Sequence, residues 1–150
     1  RIAGEITLLP GASVYFKGGA VAYSNEAKVT MLGVERALIE RRGAVSEEVA
    51  VAMAEGIRRL LGTDYAVATT GVAGPGGGSP GKPVGTVWIA VATPAGTVAR
   101  VFHFSFARER NMGRATMRAL EMLLDALPVE ARVGAAVGEV DYKSDCHPDD

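Results

Sequence analysis

With 150 residues, 48% of them hydrophobic and 22% charged, the chain has the make-up of a single soluble domain long enough to bury a core. A formal net charge of -1 excludes the dense basic footprint of a nucleic-acid binder, and no run approaches the roughly 18 apolar residues that a membrane span needs. No stretch reads as a signal peptide and the one cysteine, Cys146, excludes an internal disulfide, so the expectation is a cytoplasmic protein.

In chain order, residues 1–9 read as the end of a helix stopped by Pro10-Gly11. Residues 14–23 read as an extended stretch, interrupted at Lys17-Gly18-Gly19 by a turn or a bulge. Ser24 or Asn25 is the expected N-cap of a short helix that carries Glu26, Lys28 and Leu32 and closes at Gly33. After a second short helical piece at 35–42, Ser46 caps the strongest helix. Glu47 and Glu48 favour the dipole of its first turn, Val49, Met53, Ile57, Leu60 and Leu61 form an apolar stripe, and Gly62 ends it.

Strands at 65–70 and 84–92 flank a glycine-rich loop, and Thr93-Pro94-Ala95-Gly96 turns the chain into a third strand at 97–106. In that strand Val98, Arg100, Phe102, Phe104 and Phe106 fall on one side and Val101 on the other. A last helix at 108–127 turns Ala115, Leu120, Leu123, Leu124 and Leu127 inward, with Pro128 beyond it. Arg110, Arg114 and Arg118 recur every four residues on one of its faces. The row is either solvated or, at Arg110 in the first turn, within reach of a phosphate. Strands alternating with helices predict an α/β layered fold with a mixed sheet.

The domain is expected over residues 1–128, followed by an acidic tail at 129–150. From 139 onward the tail holds five acids and one lysine, which leaves the body at +3 and suited to a small anionic ligand. Cys146-His147 and its neighbouring aspartates supply only two strong metal ligands at a chain end, so no metal site is expected.

The loop Thr69-Thr70-Gly71-Val72-Ala73-Gly74-Pro75-Gly76-Gly77-Gly78-Ser79-Pro80-Gly81-Lys82-Pro83 holds six glycines and three prolines, a content that excludes a helix or strand interior. Residues 76–82 satisfy G-x-x-x-x-G-K, but Pro83 stands where a phosphate-binding P-loop needs a hydroxyl for magnesium. Gly76, Gly78 and Gly81 satisfy G-x-G-x-x-G, yet both motifs must open a helix and the residues that follow are β-branched. What survives is a loop at a strand end: a plain structural turn, or a nest of backbone amides for an anion.

Lys28 stands just after a strand-to-helix junction. It is either a surface lysine or one that burial keeps uncharged, able to serve as base for a hydroxyl nucleophile. Tyr23 and Thr70 are hydroxyls able to steer its proton, and His103, within an apolar strand, reads as a packing residue.

Taken together, these blocks resemble the C-terminal domain of the CinA family. The residues that carry the resemblance are Pro10-Gly11-Ala12-Ser13, Gly18-Gly19 with Val21-Ala22-Tyr23-Ser24-Asn25-Glu26-Ala27-Lys28, Gly43-Ala44-Val45-Ser46, and the glycine loop with Lys82-Pro83-Val84-Gly85-Thr86-Val87. They keep the family's order over about residues 1–127. The resemblance implies a three-layer α/β/α domain that forms homo-oligomers and needs no metal or other cofactor. It also implies nicotinamide-nucleotide amidohydrolase activity, converting nicotinamide mononucleotide and water to nicotinate mononucleotide and ammonia in pyridine-nucleotide salvage.

Carried over by position, the resemblance makes Lys28, Tyr23 and Thr70 catalytic. Ser24, Gly71, Ala73, Gly74, Gly76, Gly77, Gly78 and Arg110 are the expected substrate-binding residues. The family's serine nucleophile lies in a Glu-Ser-Cys-Thr-Gly-Gly segment just before the position of Arg1, and that segment is not in this sequence. Three origins fit: a piece of a longer protein, a segment present without fixed structure, or a protein that lacks it and is inactive. Ser13 and Ser24 do not match the nucleophile's position. Besides an amidohydrolase, the alternatives are a nucleotide-binding module without catalysis and an oligomerisation or regulatory part of a larger protein.

Overall fold

The structure, a computed structural model, describes residues 1–130. The acidic stretch from 139 and the Cys146-His147 pair therefore lie outside the described residues.

Five helices and three strands follow one another as α1 (Ile2–Thr7), α2 (Asn25–Leu32), α3 (Arg36–Arg42), α4 (Glu47–Leu61), β1 (Ala66–Gly71), β2 (Thr86–Thr93), β3 (Gly96–His103) and α5 (Arg108–Ala126) among the described residues. Local chemistry accounts for most of these boundaries. The Ser24 hydroxyl accepts from the Ala27 amide at 3.0 Å and the Ser46 hydroxyl from the Val49 amide at 3.4 Å, so each satisfies a donor the helix cannot. Gly33 and Gly62 close α2 and α4 in the left-handed conformation. Residues 16–23, expected to be extended, join no strand ladder, and Ala12–Val14 forms one turn of 3-10 helix instead.

The sheet has the order β1-β2-β3, and both pairings are antiparallel. This corrects the expected mixed sheet: no helix lies between consecutive strands, so each pair is joined by a loop, and a loop returns the chain antiparallel. The layered α/β architecture itself holds, with helices on both faces. On one face Val49, Ala50, Met53 and Ala54 of α4 pack with Ala68, Ala90 and Ala92 of the sheet. On the other, Ala115, Ala119 and Met122 of α5 meet Val87, Ile89 and Val91. Leu60 of α4 and Leu124 of α5, expected inside, are exposed, because alanines that let the helices sit close to the sheet take the inward positions.

The α2–α4 contact matters most for the site. A side chain at Gly56 would place its Cβ 1.9 Å from the Leu32 carbonyl oxygen, so the C-terminal end of α2 lies directly on the α4 backbone. That contact fixes the helix that carries Lys28. Among the described residues no helix is long and apolar enough to cross a membrane.

Candidate active site

Lys28 sits in the first turn of α2, where its amide bonds to the Ser24 carbonyl at 3.1 Å. The residue is 7% exposed, and its Nζ donates to the Ala22 carbonyl at 3.2 Å. Among the described residues no carboxylate pairs with it, and burial pushes its pKa below the usual lysine range. Tyr23, which precedes the cap, is 81% exposed, and its hydroxyl accepts from Nη2 of Arg108 at 3.2 Å. Ser24, expected to touch substrate, has its hydroxyl occupied by the cap.

Thr70, at the end of β1, is buried and donates its hydroxyl to the Ala44 carbonyl at 2.7 Å. The bond ties the strand end to the turn before α4. From there the glycine loop leaves the sheet and is held at three places. Val72 exchanges backbone bonds with the far side, its amide going to the Thr86 carbonyl at 2.9 Å and its carbonyl accepting from Gly85 at 2.6 Å. Ser79 and Lys82 pair through two bonds of 3.0 Å, and the Lys82 ammonium donates to the Arg42 carbonyl at 2.6 Å. That last bond places a cation on the C-terminal end of α3, where the helix dipole favours one.

The third restraint comes from the first turn of α5. Asn111, fully buried, donates to the Ala73 carbonyl at 3.1 Å and the Phe106 carbonyl at 2.8 Å, and accepts from the Phe106 amide at 3.0 Å. Arg108 donates through Nη1 to the Gly74 carbonyl at 2.8 Å. Two consecutive loop carbonyls are thus drawn to α5, just before the cis peptide at Gly74-Pro75. Among the described residues the amides of Gly74, Gly76, Gly77 and Gly78 donate to no protein acceptor.

The structure therefore joins Tyr23 to the glycine loop through Arg108, while Lys28 and Thr70 are each held by a backbone carbonyl. Arg110 is placed elsewhere. Its guanidinium lies 5.0 Å from the centre of the Phe106 ring and lines an open hollow of about 390 Å³ with Arg1, Glu5 and Arg114. His103 is exposed on the sheet edge with Nδ1 3.3 Å from the Thr86 hydroxyl, beside a second open hollow of about 410 Å³. Arg108 and Asn111 were missed in the sequence, since their partners lie 34 and 38 residues away and neither belongs to a periodic pattern.

Residues 1–127 match the family described as the CinA C-terminal domain. A CinA-like protein of Geobacter metallireducens is 52% identical over 122 residues, which is 81% of this chain and 30% of that protein. One from Thermosynechococcus vestitus is 53% identical over 121 residues, 79% of this chain and 29% of that protein. The chain thus spans about 30% of the length of the curated relatives it matches. Among solved structures, a competence/damage inducible protein from Agrobacterium tumefaciens superposes with a TM-score of 0.81 at 39% identity, covering 83% of this chain and 76% of that one. A competence-damaged protein (CinA) superfamily member from Escherichia coli gives 0.81 at 34% identity, covering 84% and 73%. With the sequence match running through the whole α/β core and the fold shared with these structures, the chain belongs to the CinA C-terminal domain family.

Proposed function

We propose that this domain is the amidohydrolase part of a larger protein and converts nicotinamide mononucleotide and water to nicotinate mononucleotide and ammonia. The observation that carries the reading is Lys28: buried, without a carboxylate, its charge disfavoured, and five residues from a tyrosine that Arg108 ties to the glycine loop. Lowering a lysine's pKa raises the share of neutral amine that can take a proton from a hydroxyl.

The attacking hydroxyl is a serine from the segment that the family carries just before the position of Arg1. Arg1 Nη2 lies 3.8 Å from Glu109 Oε1, so the start of this sequence lies against the first turn of α5. The serine oxygen bonds to the carboxamide carbon while its proton passes to Nζ of Lys28. The C–N bond then breaks, the same proton leaves with the amine as ammonia, and water cleaves the resulting ester to the carboxylate. The free amides of the loop are suited to the negative oxygen of the tetrahedral intermediates, the contribution that is usually largest in acyl transfer.

Ammonia release from nicotinamide mononucleotide by the full-length protein, beside its Lys28→Ala variant, tests the proposal. Release by the parent and a loss of at least about a hundredfold in the variant is the expected result. A folded parent that binds the nucleotide without turnover moves the domain to the binding-module reading.

A homo-oligomer belongs to the same proposal. Leu8, Leu9, Val14, Tyr15 and Val21 are 58% to 83% exposed within one short stretch, more apolar surface than a lone domain usually leaves open. Sedimentation of the full-length protein as a monomer at micromolar concentration would remove that part.

A further inference from the structure

We infer that Asn111 is a positioning residue of the hydrolysis: by holding the Ala73 carbonyl it turns the next amide, that of Gly74, toward the oxygen that becomes negative when the carboxamide is attacked. The inference rests on the amidohydrolase reading above, and names the donor at that oxygen together with the side chain that aims it.

An amide side chain is unfavourable to bury unless all its groups are paired. Asn111 is fully buried, and it is the one polar residue among the five largest side chains so enclosed. Its oxygen accepts from the Phe106 amide at 3.0 Å, and its nitrogen donates to the Phe106 carbonyl at 2.8 Å. Those two bonds close the corner five residues back and hold the start of α5 by themselves. The third, 3.1 Å to the Ala73 carbonyl, reaches a segment 38 residues away and serves the glycine loop instead of the helix.

Stereochemistry gives that third bond its consequence. In a trans peptide the C=O and N–H point in opposite directions, so drawing the Ala73 oxygen to Asn111 turns the Gly74 N–H away from α5. Gly74 is buried, and its N–H donates to no protein acceptor among the described residues. Buried amides are nearly always paired, so this one is matched to an acceptor that arrives with the substrate. The backbone there is held from other sides as well. Arg108 takes the Gly74 carbonyl at 2.8 Å, and a Cβ on Gly74 would lie 2.6 Å from Cγ1 of Val84. The same guanidinium bonds the Tyr23 hydroxyl at 3.2 Å, which brings Gly74 within two hydrogen bonds of Tyr23. A donor fixed in a buried place before the reaction is the kind that stabilises a developing oxyanion most.

The test uses the full-length protein, its Asn111→Ala and Asn111→Asp variants, and two substrates: nicotinamide mononucleotide and the analogue whose carboxamide is a thioamide. Ammonia release is followed for both, below the melting range of each variant. Sulfur accepts a hydrogen bond from an amide less well than oxygen does, so the thioamide draws less on the Gly74 N–H. For the mononucleotide, kcat is expected to fall about tenfold to a hundredfold in both variants with KM within about threefold. The thioamide is expected to lose less, so the preference for oxygen over sulfur shrinks. Equal losses on the two substrates make Asn111 a structural cap and overturn the inference. A raised KM at parental kcat also overturns it, since the Gly74 amide would then serve the bound ground state. An active parent beside unchanged variants sinks the inference alone, whereas a parent that releases no ammonia sinks the amidohydrolase reading and the inference with it. A second measurement needs no variant. In the glycine-labelled parent, the Gly74 amide proton is expected to move downfield on adding the aldehyde analogue of the mononucleotide, and not on adding nicotinate mononucleotide. The aldehyde carbon takes up the serine oxygen, the serine proton goes to Lys28, and the aldehyde oxygen turns negative as in the reaction. An unmoved Gly74 signal overturns the inference even where the variants fail to fold.

Discussion

The Arg108 guanidinium donates to the Tyr23 hydroxyl at 3.2 Å and joins residues 85 apart in sequence. An arginine can only donate, so the lone pair it occupies leaves the tyrosine proton to point elsewhere. Tyr23 thereby becomes an oriented donor rather than a freely turning hydroxyl. The expected effect of Tyr23→Phe follows from that role. The ring is exposed, so stability should change by no more than about 0.5 kcal/mol, while kcat for the proposed amide hydrolysis falls about tenfold to a hundredfold. Thermal melting and steady-state kinetics read the two quantities separately. A phenylalanine variant with parental kcat would show that the hydroxyl serves only to hold Arg108.

Lys28 makes a prediction about stability as well as rate. Burial holds its pKa below the ordinary lysine range, so the folded state takes up a proton less readily than the unfolded chain. Above the ordinary lysine pKa the side chain is neutral in both states and burial carries no charge penalty. As pH falls from there, the unfolded chain takes up a proton that the folded chain resists, and stability is lost until the lowered pKa is passed; below that the loss is constant. Lys28→Met removes the penalty. The variant should therefore melt higher than the parent at about pH 6 and converge with it near pH 11, while losing the proposed amidohydrolase activity. A melting difference that does not vary with pH would mean that folding leaves the Lys28 pKa unshifted.

Much of this arrangement was legible because its causes are local. Ser24, Gly33, Ser46 and Gly62 mark helix ends through chemistry confined to a few residues, and each stands where the structure begins or ends a helix. The turn at Pro94-Ala95 likewise follows from residues adjacent to it, with Thr93 and Gly96 paired across it. What failed was non-local. The inward stripe of α5 is set by how closely Ala115 and Ala119 let the helix approach the sheet, which the leucine periodicity does not report. The sheet's direction depends on the absence of a crossover helix, not on the alternation of elements. Arg110 drew attention because it belongs to a periodic row, whereas Arg108 grips a carbonyl 34 residues away. The one signal within reach was a cation at the first position of a helix, where the dipole disfavours it.

Asn111 carries the largest stability prediction. Its amide satisfies three backbone groups, and the residue is fully buried between α5 and the loop. Asn111→Ala leaves the Ala73 and Phe106 carbonyls and the Phe106 amide without that partner. The expected loss is about 2–4 kcal/mol, or a drop of roughly 5–15 °C in Tm. Asn111→Asp keeps an acceptor for the Phe106 amide but sets a carboxylate against two carbonyls, so it should be no milder. Chemical denaturation of both variants measures this, and a loss under about 0.5 kcal/mol in either would show that water replaces the amide without difficulty.

Two glycines of the loop separate what the fold needs from what a ligand needs. Gly74 has φ 92° and a Cβ there would lie 2.6 Å from Cγ1 of Val84, so Gly74→Ala meets both strain and a clash. It should destabilise by about 1–3 kcal/mol and displace the carbonyl that Arg108 holds. A Cβ at Gly76 meets nothing within 4 Å, and its φ lies outside the left-handed region. Gly76→Ala should therefore leave stability unchanged or raise it by about 0.4–1 kcal/mol through the unfolded chain. If the loop amides bind the nucleotide, the added methyl will nonetheless raise KM for nicotinamide mononucleotide, because it stands where the ligand must approach the backbone. Paired melting and kinetic measurements decide the point: a Gly76→Ala protein with parental stability and parental KM would remove the glycine loop from the binding site.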